Sequence, residues 1–192
     1  MPAVINLNND EKKFLLTLVR DVITCNVEGK VYPAADSYSE TLQKKFGAFV
    51  TLHKKKALRG CIGYVEGMRP LQQTIAELAV AAAFEDPRFP PVQKEELQDL
   101  QIEISILSPL KIIKSIDEIE IGKHGLIIEQ NFFRGLLLPQ VATEYNWDTT
   151  TFLKQTCLKA GLPEQAWKDK NTIIKIFSAE IFSEYEFNQN KT

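Results

Sequence analysis

The sequence predicts an α+β fold with mixed or antiparallel sheets and packed helices, and three observations carry that prediction. Apolar residues alternate with period two from Gly47 to Gly63, and again where Ile102, Ile104 and Ile106 interleave with Gln101, Glu103 and Ser105. Elsewhere they recur at helical spacing, first in Leu15, Leu18, Val19 and Val22, then in Leu71, Ile75, Leu78, Ala79 and Ala82. The two patterns do not follow one another in the strict βαβ order that a doubly wound sheet needs. A chain of 192 residues can build one sizeable core and is short for two independent domains, so it is expected to be a single domain over 1–192.

Local signals place the elements in order. Asn8, with Glu11 three residues on, has the spacing of a capping box and predicts the start of a first helix. Residues 26–40 read as irregular, broken by Gly29 and Pro33. The alternation from Gly47 to Gly63 is expected to be a hairpin that turns at Lys54-Lys55-Lys56. Pro70 suits the first turn of a second helix, and the run Asp86-Pro87-Arg88-Phe89-Pro90-Pro91 must stop it. The isoleucine strand follows. Gly122 and Gly125 bracket a turn at His124, and Leu126–Ile128 with Gly135–Leu138 predict a second strand pair. Asp148 caps a last helix that ends at Ala160 with Gly161 as its left-handed stop. Ile173–Glu184 reads as a final strand and Asn188–Thr192 as a frayed tail.

Composition narrows the function classes. Hydrophobic residues at 44% and charged residues at 25% are the balance of an ordinary globular chain, which argues against disorder and against a coiled coil. A net charge of -2 supplies no field for a polyanion, so nucleic acid is disfavoured as a partner. The start Met1-Pro2-Ala3 shows no signal-peptide pattern, and no apolar run approaches a bilayer span, so no membrane association is expected. Three dispersed cysteines argue for a reducing compartment, and a cytoplasmic location is expected. Two histidines and those cysteines carry no ligand spacing for a metal, and no cofactor fingerprint is present.

The chemistry-bearing segment is Leu58-Arg59-Gly60-Cys61-Ile62-Gly63. With the three lysines as the loop, Thr51 would face Arg59 and Phe49 would face Cys61. Val50, Leu52, Leu58 and Ile62 would then form the core face, and Thr51, His53, Arg59 and Cys61 the other. An arginine beside a thiol favours the thiolate, the nucleophilic form. Gly60 and Gly63 mark close approach of a backbone or a ligand, or simple packing. His124 is either a general base toward Cys61 or a surface turn histidine. Asp86 and Arg88 either line a binding site or pair with each other to hold the proline-rich loop. Glu103 and Ser105 join the Cys61 face if their strand is a neighbour, Gln140 either binds a ligand at a helix start or caps, and Cys157 reads as a core cysteine.

The same hexapeptide resembles the signature of the AMMECR-type domain family, called in prokaryotes AmmeMemoRadiSam system protein A. The likeness continues through Gly47–Leu52, Asp86–Pro91, Glu103–Pro109, Gly122–Leu126, Leu136–Ala142 and Cys157–Leu162. It implies a larger and a smaller subdomain, with the signature near a cleft between them. It also implies a setting beside a MEMO-like protein and a radical-SAM protein. The resemblance carries no reaction with it. Two functions are therefore expected as alternatives. In one, a cleft binds a small-molecule ligand or modified substrate and Cys61 performs thiol chemistry, with Arg59 stabilising the thiolate or anchoring an anion. Asp86, Arg88, Glu103 and His124 would support it. In the other, the chain is a non-catalytic adaptor that docks the two partners.

Overall fold

The structure, a computed structural model, describes residues 6–33 and 39–189. The expected tail, the N-terminal tripeptide and part of the irregular stretch thus lie wholly or partly outside the described residues. The chain divides into two compact units. Among the described residues, the larger takes in those up to Leu107 and again from Glu180, and the smaller is Ser108–Ala179.

In the larger unit, α1 (Asn9–Val27) begins at Asn8, whose side chain accepts from the Glu11 N–H while Glu11 reaches back to the Asn8 N–H. The capping box is formed as its spacing predicts. Strands β1 (Gly47–Lys54) and β2 (Ala57–Tyr64) make the hairpin, and β3 (Leu100–Leu107) pairs on the other side of β1. All three are antiparallel, and β2 is the edge. The turn is only Lys55 and Lys56, both at positive φ (51° and 67°), the backbone of the primed turns whose twist suits a two-residue hairpin.

Helix α2 (Leu71–Val80) has Pro70 at its N-cap and runs on as a π-helical turn over Ala81–Glu85 before Asp86 ends it in extended backbone. Leu71, Ile75, Leu78, Ala79 and Ala82 are buried against Val50, Leu52, Ile102, Ile104 and Ile106, so the predicted apolar faces form one core. Phe182, near the end of the last strand, completes it. Arg20 of α1 donates to the carbonyls of Leu97 and Leu100 and to the carboxylate of Glu184, which also accepts from the Ile102 N–H.

The smaller unit contains β4 (Lys111–Ile112), β5 (His124–Gln130), β6 (Phe133–Leu137) and the first part of β7 (Ile173–Ser183). β5 pairs antiparallel with β6 and β7, and β4 pairs with β7. Short α3 (Pro139–Glu144) and α4 (Thr149–Lys159) supply Ala142, Phe152, Leu153 and Cys157 to a second core. Asp148 caps α4 through the Thr151 N–H, and Gly161 stands at φ 77°, as expected of a left-handed stop. The chain closes in α5 (Glu184–Gln189), part of the larger unit.

Candidate functional site

The hairpin register differs from simple alternation. Thr51 is opposite Cys61, Val50 opposite Ile62 and Leu52 opposite Gly60, but His53 is opposite Leu58. One residue, Arg59, is therefore extra: β2 carries a β-bulge between Leu58 and Gly60. An inserted residue exchanges the faces on either side of it. Leu58, expected in the core, consequently shares the face of His53 and is 42% exposed. Ile62 keeps its place and packs against the core.

The bulge also redirects Arg59. Its Nε and Nη2 donate to the two carboxylate oxygens of Glu96, at 3.0 and 2.9 Å, and Lys54 Nζ reaches the same carboxylate at 2.9 Å. The guanidinium also lies over the Phe89 ring, 6.0 Å from its centroid. Arg59 is 9% exposed, and its Nη1 has no hydrogen-bond acceptor among the described residues. The Arg59 pairing, then Lys54 and the Gln93 N–H, hold Glu96 down to about 2. The charge expected beside the thiol is thus satisfied by a carboxylate 37 residues away.

Cys61 lies on the sheet face opposite the core. Thr51 Oγ1 donates to its sulfur at 3.2 Å, and Thr51 is in turn opposite Glu103 on β3. The three form one row across the three strands, each half-buried. The next row is Gly63, Phe49 and Ser105. Ser105 is only 2% exposed. β3 is not the direct neighbour of β2; it pairs with β1, which puts Glu103 and Ser105 on the Cys61 face with one strand between.

The backbone of Cys61 faces off the open edge of β2. Its N–H donates to Asp86 Oδ2 at 2.9 Å, and its carbonyl accepts from Arg88 Nη2 at 3.0 Å. Asp86 and Arg88 are themselves joined by two side-chain hydrogen bonds, at 2.9 and 2.7 Å. Asp86 also accepts from the Arg88 N–H at 3.1 Å, and its carbonyl from the Phe89 N–H, so the Asp86–Phe89 turn is closed on itself. Pro87 holds Asp86 extended at the start of that turn. Arg88, then the N–H groups of Cys61 and Arg88, push the Asp86 carboxyl well below the usual carboxylate range. Of the two readings given to Asp86 and Arg88, mutual pairing is the one observed. Together they stand where a further strand would pair.

Both signature glycines have protein neighbours that explain them. A Cβ on Gly60 would lie 2.1 Å from the carbonyl oxygen of Ala82, and one on Gly63 would lie 2.2 Å from the Phe49 ring. His124 and Gln140 belong to the smaller unit. His124 opens β5, and its Nδ1 accepts from the Glu120 N–H at 3.1 Å, closing the predicted turn. Burial lowers its pKa below the ordinary value, which with that acceptor role favours the neutral ring. Gln140 is the second residue of α3, with a buried Oε1 that lacks a partner among the described residues. Cys157 is fully buried, and burial pushes its thiol up, as a core cysteine requires.

Glu96 was not legible as a site residue, although its spacing from Gln93 marks a helix start, and that capping is formed. Among the described residues no group of three or more His, Cys, Asp or Glu is placed to hold a metal ion, and no helix is long and apolar enough to cross a membrane.

Fold and signature together define an α+β protein of two compact units that holds a thiol-bearing edge strand by an Asp-Pro-Arg turn. The AMMECR1 family profile matches residues 16–182, and the chain belongs to that family. It is 45% identical over 188 residues to Protein MJ0810 of Methanocaldococcus jannaschii, covering 94% of this chain and 93% of that one. It is 44% identical over 177 residues to Protein NEQ441 of Nanoarchaeum equitans, with 88% and 98% covered. The crystal structure of the uncharacterized protein PH0010 from Pyrococcus horikoshii is similar at a TM-score of 0.85 and 39% identity, covering 93% of each chain.

Proposed function

We propose that the non-core face of the β2–β1–β3 sheet binds a small molecule or modified substrate and presents Cys61 to it as a nucleophilic thiol. The observation that carries this reading is the Cys61–Thr51–Glu103 row, with the Thr51 hydroxyl donating to the Cys61 sulfur. A thiol on a half-open face, with a hydroxyl on its sulfur and a carboxylate in the same row, has the donors and acceptors that a polar ligand needs. Phe49 adds an apolar surface in the adjoining row. Asp86 and Arg88 act through the backbone of Cys61, as positioning residues, and Arg59 holds the bulge through Glu96.

The adaptor reading, in which the signature face docks MEMO-like and radical-SAM partners, comes second. An arginine that is one-tenth exposed and engaged by a carboxylate offers little to a partner's surface.

The test is alkylation of the native protein with iodoacetamide near neutral pH, followed by mass spectrometry. The Cys61 sulfur would displace iodide from the methylene carbon, forming the S–C bond and releasing the thiol proton to solvent. Cys61 should be labelled before Cys157, and Thr51→Val should alter its rate severalfold without unfolding the protein. Labelling of Cys157 with Cys61 untouched would reject the thiol reading and favour the adaptor.

A further inference from the structure

A cavity lined by residues outside the Cys61 face carries a separate inference. Between α1 and α2 the larger unit holds a cavity of about 470 Å³, within the range of roughly 300–1,000 Å³ typical of small-molecule sites. Its floor is two apolar stripes at i, i+4 spacing, Leu18 with Val22 and Ala76 with Val80. Ala76 is small where a longer side chain would bridge the helices.

The rim decides the chemistry of the occupant. Its two charged residues already have their ions: Lys30 pairs with Glu28 at 2.6 Å, and Glu77 pairs with Arg69. Both are exposed pairs screened by water, so each already compensated charge adds little pull on a charged ligand. What remains is uncharged. The Gln73 amide is exposed at the rim, and Tyr32 brings a phenol that burial raises further above its ordinary value, so it stays protonated as a donor.

We propose that this cavity binds an uncharged, mainly apolar small molecule, aromatic or short-acyl, with one hydroxyl or amide group turned toward Gln73 and Tyr32. The apolar body would rest on the Val22 and Ala76 stripes, where burial of its surface supplies the affinity.

The experiment compares two probes with the same ring system on the full chain. N-phenyl-1-naphthylamine is uncharged, and 1-anilinonaphthalene-8-sulfonate is its anionic counterpart. The uncharged probe should show saturable fluorescence enhancement at one site per chain, and bind about tenfold or more tightly than the sulfonate. Ala76→Leu should weaken it by at least about tenfold while helical circular dichroism and melting temperature hold or rise, because it fills the space. Should that variant fail to fold, Val80→Phe makes the same test from the next turn. Absence of saturable binding, affinity unchanged by the filling variant, or tighter binding of the sulfonate would each overturn the proposal.

Discussion

The carboxylate of Asp86 accepts a hydrogen bond of 2.9 Å from the backbone N–H of Cys61, and the Arg88 beside it donates to the Cys61 carbonyl. The Asp-Pro-Arg turn thus pairs with the signature strand as a neighbouring strand would. It satisfies an edge that would otherwise invite another chain, and it fixes the backbone from which the thiol projects. Two segments that look unrelated in sequence are one structural device.

That device is expected to matter at both of its ends. Asp86 is 4% exposed, so Asp86→Ala strands the Cys61 N–H and should cost about 2–3 kcal/mol. Arg88 is itself half-exposed, but Arg88→Ala leaves the buried Asp86 carboxylate with backbone donors alone, so it too should cost about 2–3 kcal/mol or more at neutral pH. Urea midpoints of the two variants check this, and a loss well under about 1 kcal/mol for Arg88→Ala would mean that the carboxylate does not depend on the guanidinium.

Acid should weaken the larger unit in a defined window. Glu96 is held at about 2 against an ordinary value of 4.5, and Asp86 is also depressed. In both cases the unfolded chain binds the proton more readily than the folded one. Their contribution is therefore fully present above about pH 4.5 and is lost as pH falls toward 2. Melting temperature followed from pH 7 to pH 2 should fall mainly in that interval, and Glu96→Gln should lower the neutral-pH value while flattening part of the acid slope. An unaltered slope in the variant would contradict the pairing with Arg59.

The cysteines should separate by burial. Cys157→Ser places a hydroxyl in the smaller unit's core and should destabilise by about 1–3 kcal/mol. Cys61→Ser lies on a half-open face beside the Thr51 hydroxyl and should cost less. Thermal denaturation of the two variants decides this, and the reverse order would show that the Cys61 face is the drier of the two.

Two glycines make a matched pair. Gly60→Ala would bring its Cβ against a backbone carbonyl, that of Ala82, which cannot swing away, and should cost about 3 kcal/mol or more. Gly29 has a φ of +69° with open space around it, so Gly29→Ala pays only the left-handed backbone cost of about 1 kcal/mol. Similar losses at both positions would remove close helix–strand approach as the reason for Gly60.

Signals that act within a few residues determined much of this protein. Asn8 with Glu11, Asp148 with Gly161, and the alternation of Ile102, Ile104 and Ile106 each contain donor, acceptor or periodicity within one element, and each element forms as its residues dictate. The tertiary structure decided the site. Alternation cannot register a bulge, because an extra residue in β2 is defined only against β1, and the ion pair that draws Arg59 aside comes from Glu96. One inserted residue moved Leu58 outward and committed Arg59 to Glu96, while Cys61 acquired Thr51 as its cross-strand partner. The backbone partners of Cys61 likewise come from the Asp86–Phe89 turn, which follows α2 and its π-helical turn in the chain and is brought to the strand by their packing on the core. Local chemistry sets which segments form; long-range pairing sets which side chains meet.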